Sequence, residues 1–227
     1  MKHFLTFLLL LCSYMLCGAQ VATLVVDNQT PGWLSSKINY GDQLTVNNLT
    51  VTGYINQNDL TFIGDLMSKH SLSGHLDLSD VEIVDTKFAD LPTSGGTLTM
   101  FQLSQKVSIN RFSLPKSLAK ISPYLLAKVQ ADTLDYGGEN CNVLTKLLIT
   151  NRYYSTTICP KVLVLREGLK KIETFGTDEG NEKRLETIIL PQTVDSIGNK
   201  AFVSCSNLSH VNLPEGIHTI GNYAFAG

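Results

Sequence analysis

A phrase of 23 residues that occurs twice near the end of the chain constrains the fold most. Leu208 follows Leu185 by 23 residues, and eight positions of the first copy recur identically at that spacing. They are Leu185, Leu190, Pro191, Ile197, Gly198, Asn199, Ala201 and Phe202. A fixed period of about 20–50 residues indicates a solenoid, in which each unit buries its apolar face by stacking on a neighbour. The alternatives are chance similarity and a pair of amphipathic hairpins, and so many matches in register argue against chance.

Each copy of the phrase predicts a short strand followed by a turn. Ile188 and Leu190 are two residues apart, so a strand there points both side chains to one side. Pro191 has no N–H to donate and therefore closes the strand. At the next turn we expect positive φ at Gly198 and, in the second copy, at Gly221.

The Leu-Pro, Ile-Gly, Ala-Phe and Cys positions of the phrase resemble BspA-like leucine-rich repeats, strongly over 185–227 and more loosely upstream. The resemblance implies an α/β fold: a curved leucine-rich repeat solenoid with a parallel sheet on its concave face. It also implies a secreted or cell-surface role in bacteria of the Bacteroides group, often in adhesion. We expect Phe202 and Phe225 to stack inside the core about one repeat apart, and Cys205 to be an inward structural residue.

Residues 1–19 have the pattern of a cleaved signal peptide. Lys2 precedes an apolar run that ends at Leu16, and small residues then lead to Gln20, the expected first residue of the mature chain. The run is shorter than the roughly 20 apolar residues that a membrane span requires. Lipidation at Cys12 or Cys17 is a second alternative, but large residues precede both. The chain is therefore expected to be secreted or at the cell surface, with no transmembrane segment after cleavage.

The mature chain divides into a cap and a series of repeats. Residues 20–75 form an irregular amino-terminal cap region, with a helix that Asn58 is expected to cap and with Asp59 and Asp65 on the helix surface. Leucine-rich repeats follow over 76–227, degenerate to about 160 and regular from 185. In the degenerate part, the segment from Leu144 is read as a strand phrase, and Arg166 stands where proline is usual. The last repeat lacks a polar cap, so the carboxy-terminal end is expected to be incomplete.

The sequence contains no pattern typical of catalysis, cofactor binding or metal binding. A formal charge of −2 indicates no nucleic-acid partner, and no nucleotide-binding loop or hydrolase motif occurs. Cys141, Cys159 and Cys205 form no C-x-x-C pair, and pairing of Cys141 with Cys159 stays open. His75 is read as a surface histidine, and the acids that follow it as a solvated loop rather than a calcium site. We therefore expect a protein that is not an enzyme and has no catalytic, cofactor-binding or metal-binding residues.

Positions between the inward residues of each strand phrase should lie on the concave face, where a partner would bind. They are Arg111, Ser113, Val162, Val164, Thr187, Ile189, His210 and Asn212. Three of them are apolar and none is acidic, which favours a neutral or mildly acidic partner. The resemblance to adhesion-type repeats implies that the partner is a protein or glycan, for example of a host surface or matrix. Strand propensity alone could also explain valine and isoleucine there. Two other functions stay open: an enzymatic or inhibitory part beyond residue 227, and a surface scaffold without a specific ligand.

Overall fold

The computed structural model describes most of the chain after residue 21. The described residues are 22–84, 97–98, 103, 105–118, 120–121, 128–138, 142–145, 159–175 and 184–227. The predicted signal segment 1–19 and Cys141 lie outside these residues. Within the described ranges, no helix combines the length and the apolar character needed to cross a membrane.

The three described helices lie among the first strands, and every described element after them is a strand. The elements in chain order are β1 (Ala22–Asn28), α1 (Leu34–Lys37), α2 (Tyr40–Thr45), β2 (Val46–Ile55), α3 (Gln57–Lys69), β3 (His75–Asp77), β4 (Val81–Ile83), β5 (Thr97–Leu98), β6 (Val107–Ser113), β7 (Lys120–Ile121), β8 (Val129–Tyr136), β9 (Val143–Thr145), β10 (Val162–Leu165), β11 (Lys171–Thr174), β12 (Thr187–Ile189), β13 (Ser196–Ile197), β14 (His210–Asn212) and β15 (Thr219–Ile220).

Two parallel sheets organise the chain. The main sheet has nine strands in the order β1-β2-β3-β6-β8-β10-β12-β14, with β4 also paired to β2, and the second sheet has the order β15-β13-β11-β9. From β8 onward, consecutive strands alternate between the two sheets, so each repeat gives one strand to each. All the pairings in both sheets are parallel. This mostly parallel α/β arrangement is consistent with leucine-rich repeats.

The repeats stack their apolar side chains in register. Leu163 on β10 pairs with Ile188 on β12, which pairs with Val211 on β14. Inward residues of both sheets, Ile188 and Ile197 among them, belong to one hydrophobic core. Because each strand lies about 4.8 Å from the next, one repeat covers the apolar face of its neighbour.

Aromatic rings continue this stacking beside the second sheet. The centroids of Phe202 and Phe225 are 5.4 Å apart with the ring planes 10° from parallel, and Phe175 lies 5.6 Å from Phe202 on the other side. The predicted stacking of Phe202 on Phe225 is confirmed, and Phe202 and Cys205 are buried as expected. The predicted burial of Phe225 is wrong, because 38% of its surface is exposed at the end of the stack.

The glycines of the phrase serve close packing rather than positive φ. The residues with positive φ in the two copies are Lys200 at 54°, Ser204 at 66° and Tyr223 at 58°, and Gly198 and Gly221 are not among them. A Cβ on Gly198 would lie 2.9 Å from the carbonyl oxygen of Glu173, and one on Gly221 would lie 2.5 Å from the backbone nitrogen of Asn199. The expectation of positive φ is therefore wrong: glycine is needed because successive repeats bring their backbones together.

The helix of the cap region begins two residues earlier than expected. Its N-cap is Asn56, not Asn58, and the Asn56 side chain accepts hydrogen bonds from the backbone N–H groups of Asn58 and Asp59. The Asp59 side chain in turn accepts from the Asn56 N–H at 3.0 Å, which completes a capping box.

Asp59 is buried, so the expectation of a surface charge is wrong for this residue. It is 1% exposed and accepts hydrogen bonds from the N–H groups of Gly32 at 2.6 Å and Leu34 at 2.9 Å. The Asn28 amide adds a longer contact at 3.4 Å. One carboxylate thus ties β1 and the segment before α1 to the first turn of α3. Asp65, in contrast, is partly exposed and pairs with Lys69.

One repeat in the degenerate region differs from the predicted assignment. Leu144, read as part of a main-sheet strand phrase, lies in β9 and pairs with Ile172 in the second sheet. The main-sheet strand of this repeat is β8, where Leu134 pairs with Phe112 and Leu163. The repeat pattern does not predict β8, because Tyr136 and Gly137 occupy the two positions where the regular repeats have leucine and proline.

Candidate partner-binding face

The side of the main sheet away from the core carries two columns of side chains, which we call the outer face. The first column is His75, Arg111, Thr133, Val162, Thr187 and His210. The second is Val25, Thr50, Asp77, Ser113, Asp135, Val164, Ile189 and Asn212. Inward neighbours such as Phe112, Leu163 and Ile188 are buried, which fixes the direction of these positions.

The structure places the eight predicted face residues together in these columns. It differs from the prediction in the burial of one of them and in the presence of acidic neighbours. Seven of them are exposed or half-buried, whereas Ser113 is buried, with 4% of its surface exposed. The inference that the columns carry no acid is wrong, because Asp77 and Asp135 lie in the second column. Thr133 and Asp135 were missed together with β8; the signal that could have found them is the alternation in Thr133-Leu134-Asp135.

Asp135 is the centre of a hydrogen-bonded group on this face. Its side chain is 3% exposed and accepts two bonds from Arg111, Nε to Oδ2 at 2.8 Å and Nη2 to Oδ1 at 3.1 Å. The Ser113 hydroxyl lies 2.5 Å from Oδ2, and the His75 Nε2 lies 2.9 Å from the Ser113 Oγ. The bidentate contact raises the pKa of Arg111, and the negative charges of Asp135 and Asp77 add to it against the effect of burial.

The chemistry of this group is that of a positioned ion pair rather than an activated nucleophile. The Ser113 hydroxyl donates its proton to Asp135, so its oxygen accepts from the N–H of His75. In a catalytic triad the histidine stands between the serine and the carboxylate, and here the serine stands in the middle. The buried Oγ of Ser113 is also poorly placed to meet a substrate.

Arg166 lies beside this group, at the end of β10. Its Nη1 donates to the carbonyl oxygen of Leu114 at 2.5 Å, which brings the side chain back across β8. The Arg166 backbone lies against Gly137, where φ is +102° and an added Cβ would lie 3.4 Å from the Arg166 backbone nitrogen. Burial lowers the pKa of Arg166, and repulsion from Arg111 acts in the same direction, while Asp135 and Asp77 oppose both.

The aliphatic part of the outer face lies on β10 and β12. Val164 pairs with Ile189, and Val162 lies on the same strand as Val164. Ile189 is 43% exposed, although the inward positions on either side of it are buried. These three side chains form the aliphatic patch. Beyond it, the Asn212 side chain accepts from the N–H of Leu190 at 2.7 Å and donates to its carbonyl oxygen at 3.1 Å.

The comparisons with known proteins concern the carboxy-terminal repeats. Residues 173–227 match the family model described as "BspA type Leucine rich repeat region (6 copies)". This part of the chain is similar to BspA-type leucine-rich repeats. No curated protein matches the chain. Leucine-rich repeats commonly mediate protein interactions, and the BspA-type family suggests a surface repeat protein. Within the described residues, no group of three or more His, Cys, Asp or Glu side chains is arranged to hold a metal ion.

Proposed function

We propose that this chain is a secreted or cell-surface leucine-rich repeat solenoid that binds a protein or glycan partner through its outer face. The adhesion-type role that BspA-like repeats imply in the Bacteroides group is part of this proposal. So is action by binding rather than by catalysis. The match over residues 173–227 and the stacked parallel strands support it.

The observation that carries the proposal is the outer face itself. Strands from distant parts of the sequence present one continuous set of side chains in register, from Val25 to Asn212. The face includes the aliphatic patch, and contiguous exposed apolar side chains often mark an interaction site. A high strand propensity of valine and isoleucine is the competing explanation, and it predicts no effect on binding.

The binding proposal is tested by replacing Val164 and Ile189 with aspartate together. Proteins of a host surface or matrix and immobilised glycans are first screened by pull-down with the wild-type chain. We expect the double variant to keep its fold, because neither side chain is buried, and to lose the captured partner. Leu44→Asp is the matched control, since Leu44 is 48% exposed on α2, outside the two columns of the outer face. Unchanged affinity of the folded double variant would show that the partner binds elsewhere.

The export part of the proposal has its own test. Expressed in its natural host, the mature chain is expected outside the cytoplasm and to begin at Gln20. Amino-terminal sequencing of the protein from each cell fraction measures this directly. A chain that begins at Met1 and stays in the cytoplasmic fraction contradicts export.

A further inference from the structure

Arg166 has far more hydrogen-bonding capacity than its surroundings use. A guanidinium carries five N–H donors, and Arg166 uses one of its nitrogens, Nη1, on the Leu114 carbonyl. Within the described part of the chain, no carboxylate lies within 4.0 Å of it. The side chain is half-buried, so water replaces the missing partner only in part. A half-buried positive charge of this kind favours an anion beside it.

Arg111 offers a second donor group near the same place. Its Nε and Nη2 are fixed on Asp135, which leaves Nη1 without a hydrogen bond among the described residues. The Arg111 side chain is 50% exposed, whereas the Asp135 carboxylate that it covers is 3% exposed. A partner approaching the outer face therefore meets the guanidinium rather than the acid. Arg166 binds the carbonyl oxygen of Leu114, the residue after Ser113, and the Ser113 hydroxyl shares the Asp135 carboxylate with Arg111, so both guanidinium groups lie at the same part of the sheet.

The aliphatic patch lies next to these two arginines along the sheet. Asp135 pairs with Val164, and Val164 pairs with Ile189. Strands lie about 4.8 Å apart, so the midpoint between Val164 and Ile189 is about 7 Å from a point above Asp135. In an extended peptide, side chains two residues apart point the same way and are separated by about 6.6 Å. Two such side chains would reach the arginines and the aliphatic patch together.

We propose that the partner is a protein whose extended segment crosses the outer face, with a carboxylate between Arg111 and Arg166 and an aliphatic side chain on the aliphatic patch. The segment would carry an acidic residue and a leucine, isoleucine or valine two positions apart. Asp77 is half-exposed on β3, on the side of Arg111 away from the patch, and its Oδ1 accepts from the Ser79 N–H. It disfavours an acidic residue there and so helps to fix the direction of the segment. This inference rests on the proposed function and names the chemistry of its partner.

A displayed library of random peptides, selected on the full chain, tests the inference. We expect the enriched peptides to contain an acidic and an aliphatic residue two positions apart. Arg166→Gln is expected to weaken their binding by about tenfold, since it removes a charge-assisted contact. Ile189→Thr should weaken binding as well, and Arg166→Lys should do so less than Arg166→Gln. The matched control is Lys69→Gln, which removes an exposed cation of α3.

The outcomes separate this inference from the proposed function. Peptides that lose binding to the Val164→Asp, Ile189→Asp double variant but carry no acidic residue would overturn the inference and leave the outer face as a binding site. Peptides that bind the double variant as well as the wild type would overturn both. Equal binding to Arg166→Gln and to the wild type, with thermal unfolding unchanged, would overturn the role of Arg166. A library that yields no binder overturns recognition of an extended segment.

Discussion

Replacing Asp59 with asparagine should destabilise the cap region strongly, although the two side chains have nearly the same shape. Oδ2 of Asp59 accepts from Gly32, Asn56 and Asn28, and Oδ1 accepts from Leu34. An asparagine offers only one oxygen, so its NH₂ group must face at least one of these donors. An unsatisfied buried N–H costs about 1–3 kcal/mol, and the other bonds lose their charge assistance. Asparagine also avoids the cost of burying a charge, which offsets part of this. The free energy of unfolding should therefore fall by about 3 kcal/mol.

Asp65→Asn is the matched control, because Asp65 lies on the same helix. Its side chain is 39% exposed and pairs with Lys69, and an exposed pair of this kind contributes at most about 0.5 kcal/mol. Urea unfolding followed by tryptophan fluorescence measures the stability of both variants. Trp33 is the single tryptophan, and it directly precedes Leu34, whose N–H donates to Asp59. With a denaturant slope of about 2–3 kcal/mol per molar, the Asp59→Asn midpoint should fall by roughly 1 M.

Equal midpoints for the two variants would refute this reasoning. They would mean that the Asp59 carboxylate is not held by the donors around it, or that water reaches the site and replaces them. A drop seen by fluorescence but not by circular dichroism would instead show that the cap region unfolds separately from the repeats.

Two further predictions concern the repeats. Phe202→Ala should lower the free energy of unfolding by about 3–5 kcal/mol, because the ring is buried between two others. Lys200→Ala, on the exposed turn, should change it little. Denaturant titration compares the two variants, and equal losses would contradict the stacking. Gly198→Ala should cost about 1–3 kcal/mol, because its Cβ would lie 2.9 Å from a backbone oxygen. The matched Gly216→Ala, with 3.9 Å of space, should be nearly neutral in thermal unfolding, and similar losses in both would argue against close packing at Gly198.

The regular repeats could be predicted from the sequence because their inward positions are all apolar. Leu163 and Ile188 stand in the same phrase as Val211, and the structure pairs them in register. The repeat containing β8 breaks this pattern, since Tyr136 and Gly137 replace leucine and proline. Its strand is held by neighbours on both sides, which a local pattern does not report.

The burial of Asp59 and Ser113 could not be predicted from the sequence, because it depends on contacts between distant parts of the chain. Asp59 lies on a helix, and two of its donors, Gly32 and Leu34, lie about 25 positions earlier in the chain. Likewise, Ser113 is buried because Asp135, one strand away, draws its hydroxyl into a hydrogen bond. Sequence periodicity predicts which side of an element faces the core, but it does not predict which polar side chains find partners on the other side.

The His75, Ser113 and Asp135 side chains join three successive strands, β3, β6 and β8. Stacked repeats otherwise interact mainly with their nearest neighbours, so they can open one at a time from an end. A side-chain connection across three strands should make them open as one cooperative unit. In native-state hydrogen exchange, the amides of β6 and β8 would then share one opening free energy, while those of β14 exchange through smaller, local openings. Strands β3, β6 and β8 would accordingly resist proteolysis better than β12 and β14, although β12 and β14 belong to the most regular repeats.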